Sequence, residues 1–412
     1  MDHPIVGLDI GTTKIGVVIG EIDSDGALKI VGVGSCPSDG LRKGVVVNID
    51  KTVKSIERAV GEAELMAGVD VETVYVGIAG DHIKSINSRG VIAVSRHDNE
   101  IIRADVDRVI EAARAVAIPQ DREMLHVIPQ DFVVDDQPGI KDPVGMSGVR
   151  LEGDVHIVTG AITSVQNLYK SVERANLKVA GIVLEPLASS YAVLEEDERE
   201  LGCAVLDIGG GTTDLIVFIE GNVRHTASLG LGGRNVTNDL AIGIRTPLER
   251  AEEIKCSHGT CLRSGLEGGE YIPEPGVGGR DQREVSRAVL ASIIEPRMRE
   301  IFTLALRELQ KNHFLDTLGA GIVLTGGCSQ MHGAAELAEQ VFGMPVKVGI
   351  PKGFGGLVDA VATPAHATGV GLVQYGLARL THGKEENLGS DGFLGFFSNR
   401  FKKTIQWVKQ YV

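Results

Sequence analysis

Two stretches of this 412-residue chain combine aspartate, glycine and threonine in the same order. Ile5 to Gly20 reads IVGLDIGTTKIGVVIG, and Val205 to Phe218 reads VLDIGGGTTDLIVF. The first carries Leu8-Asp9-Ile10-Gly11-Thr12-Thr13; the second carries Leu206-Asp207-Ile208-Gly209, with Thr212-Thr213 after two further glycines. Both read as strand, glycine turn, strand. Gly209, Gly210 and Gly211 let backbone N–H groups converge on one concavity, with the Thr212 and Thr213 hydroxyls beside them, which suits a phosphate. Gly11, Thr12 and Thr13 would do the same in the first stretch, where Lys14 could neutralise β/γ-phosphate charge. An aspartate at each strand end, Asp9 and Asp207, suits Mg²⁺ held through water. One glycine turn between strands is common. Two copies about 200 residues apart predict two related halves that clamp one nucleotide.

Three further segments could complete such a clamp. Thr325-Gly326-Gly327 lies between a strand and a helix and gives a backbone room to approach an adenosine. Glu252 and Lys255, at helical spacing, could hydrogen-bond ribose and stack beside adenine; the plainer alternative is a surface ion pair worth little. Glu185, in LEPLASSYA, could orient an attacking water, or could serve only as a helix cap or surface group. Cys256, His258 and Cys261 lie close enough to be read as metal ligands, but no second ligand pair follows, which favours a loop with ordinary thiols.

The elements that must position these residues follow from apolar spacing. Ile5–Ile10, Ile15–Ile19 and Leu28–Val33 read as strands, 51–67 as a helix and Val74–Ala79 as another strand. Residues 84–163 read as an inserted subdomain, with strands Val91–Val94, Leu125–Val134 and Val155–Val158 and a helix face at Val106, Val109, Ile110 and Ala113. The turn-rich stretch Gly139–Gly148 is a loop or an exposed contact surface. A helix (Val165–Ala175), a strand (Val179–Leu184) and a helix (Leu187–Glu195) follow, and the acidic run Glu195–Glu200 reads as a solvated edge. After the second glycine hairpin come a strand at His225–Leu229 and a helix over Pro247–Lys255. Residues 259–280 read as irregular, and Ser286–Leu309 as a long helix. Ile322–Leu324 is a strand, and Pro364–Leu380 closes the core.

Composition bounds the function. A net charge of −14 argues against nucleic-acid binding, which needs a basic footprint. Five scattered cysteines point to a reducing compartment. Neither a signal peptide nor an apolar run long enough to span a bilayer is expected. Thr381 to Gly392 reads as a flexible linker. Phe393 to Val412, FLGFFSNRFKKTIQWVKQYV, then holds six aromatics and no acidic residue. At 100° per residue Leu394, Phe397, Phe401, Ile405 and Val408 share one face, flanked by Phe393 and Trp407, with Lys402 and Lys403 opposite. A basic amphipathic helix on a tether predicts binding in the interface of an anionic membrane. A terminal helix packed on the core, or one that binds a partner, remains open.

The order of the two hairpins, the segment at Glu185-Pro186-Leu187-Ala188, Ile322–Gly333 and Ala367–Gly376 resembles the actin, heat-shock chaperone and sugar kinase superfamily. Within it the chain resembles the FtsA family of bacterial cell-division proteins, on LHVIPQ at Leu125–Gln130, PVGMSGVR at Pro143–Arg150, Ser189–Leu201, EPR at Glu295–Arg297, Gly319–Gly327 and the tail. The resemblance implies an α/β, actin-like two-lobed ATPase fold with an inserted subdomain in the first lobe and a C-terminal amphipathic helix. First-lobe core would occupy 1–83 and 164–200, the insert 84–163, and second-lobe core 201–245 and 313–363. A further subdomain would occupy 246–312, a closing helix 364–380, a linker 381–392 and a membrane-targeting helix 393–412. It implies ATP and Mg²⁺ as cofactors, with at most weak ATPase activity. The protein would form actin-like filaments on the cytoplasmic face of the inner membrane at the septum. As a peripheral protein there it would anchor FtsZ through that protein's C-terminal peptide and recruit downstream divisome membrane proteins. The FtsZ tail would dock on 246–312, with Arg297 a contact candidate. The competing readings are a small-molecule kinase, for which no substrate base is evident, and a chaperone-type ATPase, which would need a large C-terminal peptide-binding domain.

Overall fold

The computed structural model describes residues 4–263, 271–274 and 283–383. The first lobe opens with β1 (Ile5–Ile10), β2 (Lys14–Ile22) and β3 (Leu28–Pro37), a meander whose inward residues are almost wholly buried. A short hairpin, β4 (Leu41–Arg42) and β5 (Val45–Val46), leads to α1 (Ile49–Ala67). Asn48 caps α1 by accepting from the Lys51 amide at 3.0 Å, and Gly68 ends it in the left-handed conformation at φ 71°. Its buried face is Ile56, Ala59, Val60 and Ala63, the spacing of an amphipathic helix. β6 (Thr73–Ile78), then β11 (Lys178–Leu184) after the insert, extend the sheet in parallel to the order β11-β6-β1-β2-β3, completed by a two-residue strand, β19 (Gly355–Gly356).

The second lobe repeats this order. β12 (Cys203–Ile208), β13 (Thr213–Ile219) and β14 (Asn222–Leu229) form the meander, and β17 (Ile322–Thr325) and β18 (Val346–Val348) add in parallel to give β14-β13-β12-β17-β18. The two sheets are therefore related strand for strand, β1 to β12 and β2 to β13, as the repeated motif predicts. The repeat differs in one detail. In each turn a glycine amide donates 3.0 Å to the carbonyl three residues on, Gly11 to Lys14 and Gly209 to Thr212. The turns have equal length, so Gly210 and Gly211 are not an insertion but stand where Thr12 and Thr13 stand in the first lobe.

Helices cover the sheets. α3 (Ile162–Arg174), α4 (Glu185–Val193) and α11 (Ala367–Gly383) belong with the first lobe, and α5 (Glu196–Leu201) packs against β13; α6 (Gly233–Gly243), α7 (Leu248–His258), α8 (Arg287–Lys311) and α9 (Ala334–Phe342) belong with the second. A single turn, α10 (Val358–Val361), precedes α11. β15 (Tyr271–Glu274) pairs with β16 (Arg283–Ser286), so a strand stands within 259–280, which the sequence reads as irregular. No described helix is long and apolar enough to cross a membrane.

The insert is a four-stranded antiparallel sheet ordered β7 (Lys84–Ala93), β10 (Arg150–Ala161), β8 (Arg122–Val134) and β9 (Gln137–Ile140), with α2 (Arg103–Arg114) against it. β7 and β10 are far longer than the four-residue strands read from sequence. β7 is an edge strand, mostly exposed and polar in its first half, so its apolar signal is confined to the end. The acidic run is also more than a solvated edge. It folds as α5, and Arg199 turns inward to donate 2.6 Å to the Ser190 carbonyl and lie over the Tyr191 and Phe218 rings. The tail, with Phe393, Leu394, Phe397, Phe401, Lys402, Lys403, Ile405, Trp407 and Val408, lies outside the described residues.

Candidate functional site

The two glycine turns face each other at the bottom of a cleft between the lobes. A cavity of about 650 Å³ opens there, within the range that holds a small ligand. Its walls include Asp9, Gly11, Thr12, Thr13 and Lys14 from the first turn, and Asp207, Gly209, Gly210, Gly211 and Thr212 from the second. Glu185 lines it from the start of α4, Glu252 and Lys255 from α7, and Gly326 and Gly327 from the turn after β17. Five separate segments converge on one concavity.

Backbone proximity explains the glycines. A Cβ at Gly210 would drive into the Thr13 side chain, and one at Gly211 into Thr12, so the hydroxyl-bearing turn of one lobe fits the bare turn of the other. Gly326 sits at φ 81°, and a Cβ there would run into Asp207 and the Ile208 backbone, a conformation and a closeness that favour glycine. Thr12 also accepts from the Gly44 amide at 3.0 Å, which fixes its rotamer.

One sequence-derived site residue is placed elsewhere. Thr213 is fully buried, its hydroxyl donates 2.9 Å to the Leu231 carbonyl, and it does not line the cavity. Strand alternation is the reason: Thr213 begins β13 and turns into the lobe, while Thr212, still in the turn, faces the cleft. Arg297 is also remote from the cleft. It bridges α8 to α6 through Asp239, at 2.6 Å, and pairs with Glu300 along its own helix.

Glu252 and Lys255 are not a solvated pair. The Lys255 side chain is only 9% exposed, with its ammonium 2.7 Å from Glu252 and 2.9 Å from the Thr237 hydroxyl. Thr237 also donates to Glu252. Burial costs Lys255 its hydration, and these partners replace it. Cys256 lines the same wall and is exposed, whereas Cys261 is buried, and no group of three or more His, Cys, Asp or Glu among the described residues is placed to hold a metal directly.

The cleft floor is acidic beyond what the motifs show. Burial pushes Asp9 up to about 6, with Lys14 pulling it down and Asp207 adding to the rise. Burial raises Asp207 against donors from Ser189 and Thr368, the latter at 3.2 Å. Glu185 is held well above the usual range by burial and then by Asp9, Asp214 and Asp207. Asp214, register partner of Asp207 on β13, is pushed up to about 7 by burial. Asp9 and Glu185 keep some surface on the cleft. Burial lowers Lys14, whose ammonium donates 2.9 Å to the Ala365 carbonyl. Sequence reasoning missed Asp214, Ser189 and Thr368. Asp214 follows the second Thr-Thr pair and was visible; the other two reach the site only through the packing of α4 and α11.

Comparison with known proteins agrees with this architecture. The family model described as "Cell division protein FtsA" matches residues 204–371, and that of the "SHS2 domain inserted in FTSA" matches 80–159. The chain is 51% identical over 389 residues to a cell division protein FtsA of Pseudomonas aeruginosa, covering 94% of this chain and 93% of that protein. It is 42% identical over 389 residues to FtsA of Escherichia coli strain K12, covering 93% and 92%. Among solved structures, a PilM–PilN type IV pilus biogenesis complex superposes with TM-score 0.65 at 18% identity, over 90% of this chain and 98% of that one. MreB5 of Spiroplasma citri bound to ADP superposes with TM-score 0.57 at 13% identity, over 94% and 99%.

Proposed function

The chain belongs to the FtsA family and is an actin-like cell-division protein, and from that premise we propose that it binds Mg–ATP between its lobes and assembles into filaments that hold FtsZ at the membrane. The observation that carries the nucleotide reading is the opposition of the two glycine turns around a cavity of about 650 Å³. Convergent amides from both turns suit a polyphosphate, and Lys14 adds a cation. The MreB5 neighbour bound to ADP has the same fold, which supports the reading. Mg²⁺ would neutralise phosphate charge. Asp9 and Asp207 fit it as acceptors for its water shell: one Asp207 oxygen is occupied by Ser189 and Thr368, which leaves the other, and among the described residues no triad for direct ligation stands. Glu185 would face the terminal phosphate. Burial and the neighbouring carboxylates raise Glu185 well above the usual range, and its place on the cavity wall fits it to orient a water there.

We assign the remaining roles as follows. The subdomain 246–312 docks the FtsZ C-terminal peptide. Arg297, already paired with Asp239 and Glu300, contributes through its remaining donors or by holding α8 against α6. Residues 393–412 bind anionic lipid at the cytoplasmic face of the inner membrane. Flotation with anionic vesicles tests this. The full chain carries FtsZ to the top of the gradient, and the chain lacking 393–412 leaves both at the bottom while still binding nucleotide. Flotation of the shortened chain would overturn the anchor assignment.

A further inference from the structure

Strand β8 touches both lobes. Near its start, the His126 Nε2 accepts from the Leu184 amide at 3.0 Å, one residue before Glu185. Four residues on, the buried Gln130 donates 2.6 Å to the Val223 carbonyl on β14. His126, Ile128 and Gln130 alternate onto one face of the strand, and Ile128 is buried in the core that also holds Val223. The next residue, Asp131, accepts from Asn222 at 2.9 Å and pairs with Arg224.

β14 is the edge strand of the second sheet, and its outward carbonyls are capped by insert side chains rather than by another strand. Asn87 donates to the Arg224 carbonyl at 3.3 Å and Ser85 to that of Thr226 at 2.8 Å. His156 sits between, 2.6 Å from Asn87 Oδ1 and 2.9 Å from the Thr226 hydroxyl. Beyond the far end of β14, at the start of α6, the Gly233 and Arg234 amides donate to the Gly209 and Gly210 carbonyls at 2.9 and 2.8 Å. The middle of β8 thus stands one residue from Glu185 in the first lobe, through Leu184, and is joined to the second glycine turn along the length of β14 and the start of α6.

We propose that β8 is a strut that couples closure of the cleft to the inserted subdomain. A relative movement of the lobes must either break the contacts of His126 and Gln130 or carry the insert with it. A ligand that fixes the lobes then stiffens the insert, and by reciprocity a partner that grips the insert alters affinity in the cleft. The coupling rests on the nucleotide reading of the cleft.

Hydrogen exchange of the full-length protein with and without a non-hydrolysable ATP analogue and Mg²⁺ tests it. In the wild type the analogue slows exchange at 9–14 and 207–214, and also at 126–134 and 222–229, by about fivefold or more. The His126→Ala/Gln130→Ala variant keeps the turn protection and loses that at 126–134 and 222–229, and Asp131→Asn, a milder change, weakens it. Protection of the turns alone in the wild type overturns the coupling. An unchanged insert response in the variants overturns the strut. No protection at the turns overturns the nucleotide reading and the coupling with it.

Discussion

At the scale of residues, the cleft is a set of close approaches that only certain side chains allow. Thr12 and Thr13 press on Gly211 and Gly210, and the glycine–aspartate–threonine pattern was legible because phosphate chemistry needs those residue types together. Thr213 was misplaced from sequence because a repeated Thr-Thr pair invites alignment of like with like, whereas equal turn lengths align Thr12-Thr13 with Gly210-Gly211. Away from the cleft, His156 gives a pH prediction. Burial lowers it from the usual 6.5 to about 3, and Asn87 and Thr226 satisfy it as the neutral ring. His126 and His225 are the titratable neighbours that oppose its charging. Below pH 6.5 the unfolded chain takes up a proton that the folded ring refuses, so this contribution to stability is lost as pH falls toward about 3. His156→Gln, which cannot charge, should show a shallower fall in melting temperature than wild type between about pH 6.5 and 4.5. Parallel profiles would contradict the neutral assignment.

At the scale of elements, helices and central strands followed from apolar spacing, and edges did not. α1 buries the residues its periodicity marks, and β1 and β12 are buried on both sides. β7 was read too short because one flank meets solvent, and α5 was hidden because Arg199 looks like any charge in an acidic run until its ring partners are seen. α7 carries the clearest test at this scale. It places Glu252, Lys255 and Cys256 along the cleft wall, and Cys256 is the exposed one of the five cysteines. Saturating Mg–ATP should slow alkylation of Cys256 by about tenfold or more while the buried thiols stay unreactive, since a bound ligand shields in proportion to its occupancy. An unchanged rate under saturating nucleotide would place the adenosine elsewhere than against α7.

At the scale of the molecule, two copies of one sheet order face each other, and the insert joins the outer edge of the second copy to the first. The two-lobed plan was legible because the motif occurs twice. The bridging by the insert was not, because it depends on single polar side chains such as Gln130 and Asn87, which carry no periodic signal. We read the two opposed glycine turns as a clamp whose closure governs assembly. Electron microscopy on anionic lipid monolayers tests that claim most directly, comparing the wild type with Gly210→Val in Mg–ATP and in nucleotide-free buffer. The account predicts aligned filaments for the wild type with Mg–ATP, and sparse or absent filaments both without nucleotide and for Gly210→Val. Filaments of equal density in all four conditions, or none in any, would contradict it.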